Sequence, residues 1–139
     1  MVCVCACACL GPLKASLLVP ARIALSVPLI NVYTHPLVAG PILASHPLDL
    51  QEFPALPDDE FSTVAHVGPA SVNTEVKLVG VEDDKIQSGA NPVGKLFVRG
   101  PPVGKVLDAE EEAQTAEGWT ATGDIAQVYT NGAFKVLQK

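Results

Sequence analysis

The side chains that could do chemistry in this chain fall into three sets. Cys3, Cys5, Cys7 and Cys9 recur at every second residue. In an extended strand that spacing lines them along one face. As thiolates they would suit a soft metal ion, but ligands strung along one straight strand close a tetrahedron poorly. Neighbours facing the same way are also badly placed for a disulfide. Cysteine packed as a small hydrophobe in a buried strand fits the pattern better, and free thiols fit a reducing compartment such as the cytoplasm or the peroxisome. His35, His46 and His66 are scattered and share no ligand spacing; His46 and His66 read as loop and strand-end residues. The third set is a single carboxylate. Asp124 ends the run Gly118-Trp119-Thr120-Ala121-Thr122-Gly123-Asp124 and falls at the expected start of a strand, where it offers two acceptor oxygens. Taken alone, Thr122-Gly123-Asp124 reads as an ordinary turn.

The elements that must position these residues differ between the two halves of the chain. Residues 2–10 form a short continuous apolar run, the pattern of a buried strand. Gly11-Pro12 ends it. Residues 14–25 carry Leu17, Leu18, Ala21 and Leu25 at helical spacing, with Pro20 as an internal cost. Residues 28–33 are a second apolar strand. Strand, helix, strand is the order of a parallel α/β sheet. Residues 34–61 are Pro-rich without periodicity and read as a long loop, with Pro57-Asp58-Asp59-Glu60 as a solvated surface. From Ser62 the pattern becomes short strands between turns: 74–81, 94–99, 125–129 and 133–137, with Thr130-Asn131-Gly132 as a hairpin turn. Residues 108–116 read as a short acidic helix or charged loop. The expected fold class is α/β: a strand–helix–strand piece of a parallel sheet, residues 1–61 including the loop, followed by a small β-barrel-like subdomain, residues 62–139.

Composition narrows the function. The net charge of −6 argues against nucleic acid as a partner, because phosphate binding needs clustered Lys and Arg. It also disfavours anionic membrane surfaces. No stretch is apolar for the roughly 20 residues that a membrane span needs. The first acid is Asp49, and only Lys14 and Arg22 carry a full charge before it. Such a stretch reads as a buried layer of a larger body, and the chain is expected to be a piece of one.

Four ordered segments then carry a resemblance. Gly118 to Asp124 resembles the GW-x-x-TGD signature of the adenylate-forming superfamily, which includes acyl-CoA synthetases, luciferases and peptide-synthetase adenylation domains. Upstream, Pro92-Val93-Gly94-Lys95-Leu96-Phe97-Val98-Arg99-Gly100-Pro101 resembles that family's P-x-GE-(I/L)-x-V-(R/K)-GP strand and turn. Val67-Gly68-Pro69 with Glu75-Val76-Lys77-Leu78 resembles its VG-x-P…E-x-K-(I/L) segment. Downstream, Asn131-Gly132-Ala133-Phe134-Lys135-Val136-Leu137 resembles its DG-x-(L/F)-x-I hairpin.

The resemblance implies an acid–thiol ligase that uses ATP to make an acyl-adenylate and passes the acyl group to CoA. Its partners would be a nucleotide, an acyl substrate and CoA, with ATP or AMP and magnesium as cofactors. Asp124 would bind the ribose, by strong charge-assisted hydrogen bonds. Leu10-Gly11-Pro12-Leu13 resembles the small-residue turn that packs on adenine, and Val32-Tyr33-Thr34-His35 falls where the family has YG-x-TE, which makes Gly11, Pro12, Tyr33 and Thr34 nucleotide contacts. His35 would lie near the substrate. Leu37 stands where the family keeps a magnesium-holding Glu, which puts magnesium handling in question here. Lys139 stands where the family has an Arg that contacts ribose or phosphate; an ammonium supplies charge but no bidentate fork. The family's phosphate loop and its lid-domain Lys have no match, so the chain alone is expected to be inactive, with no catalytic residue of its own. The rival expectation is a non-catalytic interaction module that retains the β-barrel.

Overall fold

A computed structural model describes residues 4–7, 13–47, 49, 61, 63–82, 91–104 and 117–137. Within them the chain is mostly sheet with one short helix, in the order β1 (Val4–Cys7), α1 (Ala15–Leu25), β2 (Leu29–Thr34), β3 (Pro41–Ala44), β4 (Glu75–Val79), β5 (Val93–Arg99), β6 (Thr120–Val128) and β7 (Phe134–Leu137). The first sheet has the order β1-β2-β3, with β1 parallel to β2 and β3 antiparallel to it. The second is an antiparallel meander, β4-β5-β6-β7.

Helix α1 connects the parallel pair β1 and β2. It continues through Pro20 although proline removes a backbone donor there. Leu18 holds it down, packed with Leu29 and Ala65. Arg22 in the last turn donates to the Leu29 carbonyl at 2.8 Å and to that of Asp49, so the end of the helix is tied to the start of β2. Of the apolar stripe read from the sequence, Leu18 is buried and Ala21 packs beside it, whereas Leu17 and Leu25 are 57% and 56% exposed.

Residues 34–61 are not all loop. Strand β3 lies inside them, with Ile42 and Leu43 fully buried. Proline at its first position and a length of four residues hid it, since proline is tolerated at a strand start but breaks the usual pattern. The expected acidic segment 108–116, the run 57–60, and Cys3 and Cys9 lie outside the described residues; Cys5 and Cys7 sit in β1, paired with Ile30 and Val32.

Residues 67–71 join the two sheets. Val67 donates to the Phe134 carbonyl at 2.8 Å and Phe134 donates to that of Gly68 at 3.0 Å, which adds the segment to β7. Two residues on, Ala44 donates to Pro69 at 3.1 Å and Ser71 donates to Ile42 at 2.9 Å, which adds it to β3. A second join runs from Leu37 to Gly40: Ala39 donates to Pro102 at 2.9 Å and Gly104 to Leu37 at 2.7 Å. The main apolar cluster fills the space between, with Tyr33, Ile42 and Leu43 from the first sheet against Leu96, Val98, Ala126, Phe134 and Val136 from the second.

Candidate functional site

Asp124 lies within β6, not at its start, because β6 begins four residues earlier, at Thr120. What distinguishes the position is the pairing around it. Phe97 faces Ala121 and Lys95 faces Ile125. One residue of β5, Leu96, therefore stands opposite three of β6, Thr122, Gly123 and Asp124. Extra residues on one strand bend it and re-aim side chains. Each member of the triplet has a part in this bulge. Thr122 donates its hydroxyl to the Leu96 carbonyl at 2.9 Å and accepts from the Asp124 backbone N–H at 3.2 Å. Gly123 takes φ +83°, in the left-handed region open to glycine. Asp124 is then carried to the join between the sheets, 7% exposed.

There it meets Tyr33. The phenol donates its hydrogen to Asp124 Oδ2, linking β2 to β6 across 91 positions of sequence. The Tyr33 ring is 2% exposed and belongs to the apolar cluster, so the hydroxyl is the part of this residue that reaches the carboxylate. Burial, first, and then the hydrogen bond to Asp124 raise the phenol above its ordinary pKa of 10.0. Both favour the neutral phenol over the phenolate.

A stability prediction follows from that shift. The folded chain holds the Tyr33 proton to a higher pH than the unfolded chain does, so the contribution is complete below about pH 10 and is lost as the pH rises through the folded-state value. Urea unfolding midpoints should fall as the pH rises above about 10, and Tyr33→Phe should show a flatter pH profile there. Equal slopes for the two proteins would exclude Tyr33 as the source.

The remaining expected contacts are distributed as follows. Thr34 ends β2, at a register shift between Tyr33 and Thr34. Gly11, Pro12 and Lys139 lie outside the described residues. Leu37 is half-buried, and its N–H donates to His35 Nδ1 at 3.3 Å; an isobutyl side chain there coordinates no cation. His46 donates its backbone N–H to Asp49 Oδ2 at 2.9 Å, and the buried His66 offers its carbonyl to Asn31 Nδ2 at 2.9 Å. The three histidines thus lie in separate contacts, those of His46 and His66 made through the backbone. Among the described residues no group of three or more His, Cys, Asp or Glu side chains is placed to hold a metal, and no helix is long and apolar enough to cross a membrane.

A groove of about 760 Å³ runs between β3, residues 70–74 and the Pro101-Pro102 turn. Its wall includes neither Tyr33 nor Asp124, and its polar side chains are the uncharged Ser71, Asn73 and Thr74. The carboxylate chemistry is therefore at the bulge and not in the groove. Among the described residues, the buried polar groups that sequence reasoning missed include Asn31 and Lys135. Asn31 donates its N–H to Ser45 Oγ at 2.8 Å, and Lys135 donates to the Phe61 carbonyl at 2.7 Å. Lys135 stands between Phe134 and Val136 in a strand whose first three residues are all buried, a hint that the cation is turned inward.

Comparison with known proteins agrees with this architecture. No family model matches the chain. The human long-chain-fatty-acid–CoA ligase 1 is 35% identical over 81 residues, 55% of this chain and 12% of that enzyme. A nicotinic acid–CoA ligase of Penicillium canescens is 33% identical over 60 residues, 43% of this chain and 11% of that protein. Among solved structures, o-succinylbenzoate CoA synthetase of Bacillus subtilis superposes with a TM-score of 0.71 at 23% identity, covering 99% of this chain and 25% of that one. MatB of Rhodopseudomonas palustris gives 0.69 at 15% identity, covering 98% and 25%. The chain is similar to acid–CoA ligases in sequence and shares the fold of the corresponding part of these solved enzymes, and it matches about an eighth of the length of its curated relatives and about a quarter of the solved ones.

Proposed function

We propose that the chain is the nucleotide-side portion of an acid–thiol ligase, corresponding to the C-terminal part of the large nucleotide-binding domain. In the complete reaction a carboxylate attacks the α-phosphorus of ATP, releasing pyrophosphate and leaving an acyl-adenylate. The CoA thiol then takes the acyl group and AMP departs. The strand–helix–strand of residues 1–61 would be a piece of the parallel sheet, and the β4–β7 meander within 62–139 the small barrel-like subdomain. The contribution of these residues is recognition of the nucleoside. Binding is weak in the 139 residues alone, and the acyl and phosphate chemistry belongs to the complete enzyme.

The observation that carries this reading is the Thr122-Gly123-Asp124 bulge. It brings a carboxylate to the meeting of two sheets, and a carboxylate can accept both hydroxyls of a ribose. Hydrogen bonds to a charged group contribute about 1.5–3 kcal/mol, or roughly a tenfold to hundredfold change in affinity. Asp124→Asn keeps the size and removes the charge. It should weaken adenosine binding by about that factor while preserving the fold, and 2′,3′-dideoxyadenosine should bind both proteins equally. Calorimetric or NMR titration reads the difference. Equal affinity of the parent chain for adenosine and the dideoxy compound would return the triplet to the status of a turn.

A further inference from the structure

We propose that Tyr33 is a positioning residue for the ribose contact: its buried phenol holds Asp124 Oδ2 and fixes the direction in which the carboxylate meets the sugar. The inference rests on the ribose reading of Asp124 and adds a second residue to it. Three observations carry it. The Tyr33 ring is enclosed in the apolar cluster with Ile42, Leu43 and Leu96, so it is held from all sides and presents no free face to a planar base. Its hydroxyl is aimed at Asp124 and donates to it. Finally, Asp124 sits on a bulge shaped by Gly123 and by the Thr122 hydroxyl, which accepts from the Asp124 backbone N–H and also meets the Tyr33 hydroxyl. A carboxylate on such a segment has rotamers to choose from, and a rigid buried donor selects one of them.

The arrangement divides the labour between the sheets. The second sheet supplies the charge and the first sheet supplies its orientation. Tyr33→Phe removes the hydroxyl alone and leaves the ring in its cavity, so packing is preserved. Tyr33 then differs from a stacking platform in a measurable way. A platform acts on the base through its ring, which phenylalanine retains, so Tyr33→Phe would leave every adenine nucleoside bound as before. A positioning donor acts through Asp124, and its loss weakens those nucleosides that carry the ribose hydroxyls.

The test uses the 139-residue chain, its Tyr33→Phe, Asp124→Asn and doubly substituted forms, and adenosine and 2′,3′-dideoxyadenosine at up to millimolar concentration. Tyr33→Phe should weaken adenosine binding about three- to tenfold, leave the dideoxy compound unchanged, and cost nothing further in the Asp124→Asn background. Without any ligand, the Tyr33 phenol proton should give a slowly exchanging NMR resonance that is absent in Tyr33→Phe and displaced in Asp124→Asn. Equal loss of both nucleosides, or unchanged adenosine binding, in Tyr33→Phe overturns the positioning role while the ribose reading stands. If Asp124→Asn fails to alter the discrimination, or the parent chain binds no adenosine, the ribose reading falls and this proposal with it. Absence of the slow phenol resonance in the parent chain overturns the proposal by itself.

Discussion

Replacing Trp119 with alanine should lower the stability of the fold by about 3–5 kcal/mol, the range for deleting a buried aromatic side chain. Trp119 stands at the entry to β6, 8% exposed. Two cations lie over its ring: Lys77 Nζ is 4.4 Å from a ring centroid and Arg99 Cζ 4.5 Å. Both come from neighbouring strands, where Lys77 faces Phe97 and Glu75 faces Arg99. Glu75 accepts from Arg99 Nε at 3.1 Å, which holds the guanidinium over the indole. The substitution thus removes apolar burial and two cation–π contacts together, each worth about 0.5–1 kcal/mol at an exposed site. Lys77→Ala should lose only that smaller amount, and Trp119→Phe should recover part of the loss. Thermal melts followed by circular dichroism check the order, with a fall in Tm on the order of 10 °C for Trp119→Ala. If Lys77→Ala and Trp119→Ala proved equally mild, the indole would not be the anchor of this face.

The second large effect concerns Gly68, in the segment 67–71 that joins the two sheets. Its φ is +78°, and a Cβ built there would lie 2.2 Å from the Ala44 carbonyl oxygen and 2.6 Å from Ser45 Cα. Those atoms are backbone of β3 and its exit, and they cannot turn aside as a side chain would. Gly80 has the same φ of +78° with no atom within 4 Å of such a Cβ. The pair separates the two costs of a methyl group. Gly80→Ala should lose about 1–2 kcal/mol, the penalty of the left-handed conformation. Gly68→Ala carries that penalty and must also push β3 away from residues 67–71, for a total of roughly 3–5 kcal/mol, at the upper end of what single substitutions do. Denaturant melts of the two variants give the comparison directly. Similar losses would mean that β3 yields without cost, and the join at 67–71 would then be looser than the hydrogen bonds from Ala44 and Ser71 imply.

Both variants bear on the candidate site. Residues 67–71 and the Trp119 anchor set the position of β6 relative to β2, and so of Asp124 relative to Tyr33. A chain weakened at Gly68 should lose adenosine discrimination along with stability, whereas Asp124→Asn should lose discrimination alone. That contrast distinguishes damage to the scaffold from removal of the contact.

The sequence by itself was sufficient for those features whose causes are local. The segments that became β2, β4, β5 and β7 alternate or run apolar between turn residues, so their period could be read directly. The hairpin between β6 and β7 is signalled by Thr130-Asn131-Gly132, and the structure closes it with Tyr129 donating to the Ala133 carbonyl at 2.9 Å. The family signature was legible because its residues are close together in the chain. Other features were decided only by the tertiary structure. Strand β3 has four residues and opens on proline, and what makes it a strand is its partners, Tyr33 on one side and Ala70 on the other. Leu17 and Leu18 are adjacent and equally apolar, yet one is exposed and one buried, because periodicity marks an apolar stripe without saying which part of it a neighbour covers. Asp124 was readable as a carboxylate in a signature but not as the product of a bulge, since the bulge is a mismatch in length between β5 and β6 that exists only once they pair. Its hydrogen bond to Tyr33 joins residues 91 positions apart, a distance over which side-chain spacing carries no information and only the meeting of two sheets can bring a hydroxyl to a carboxylate.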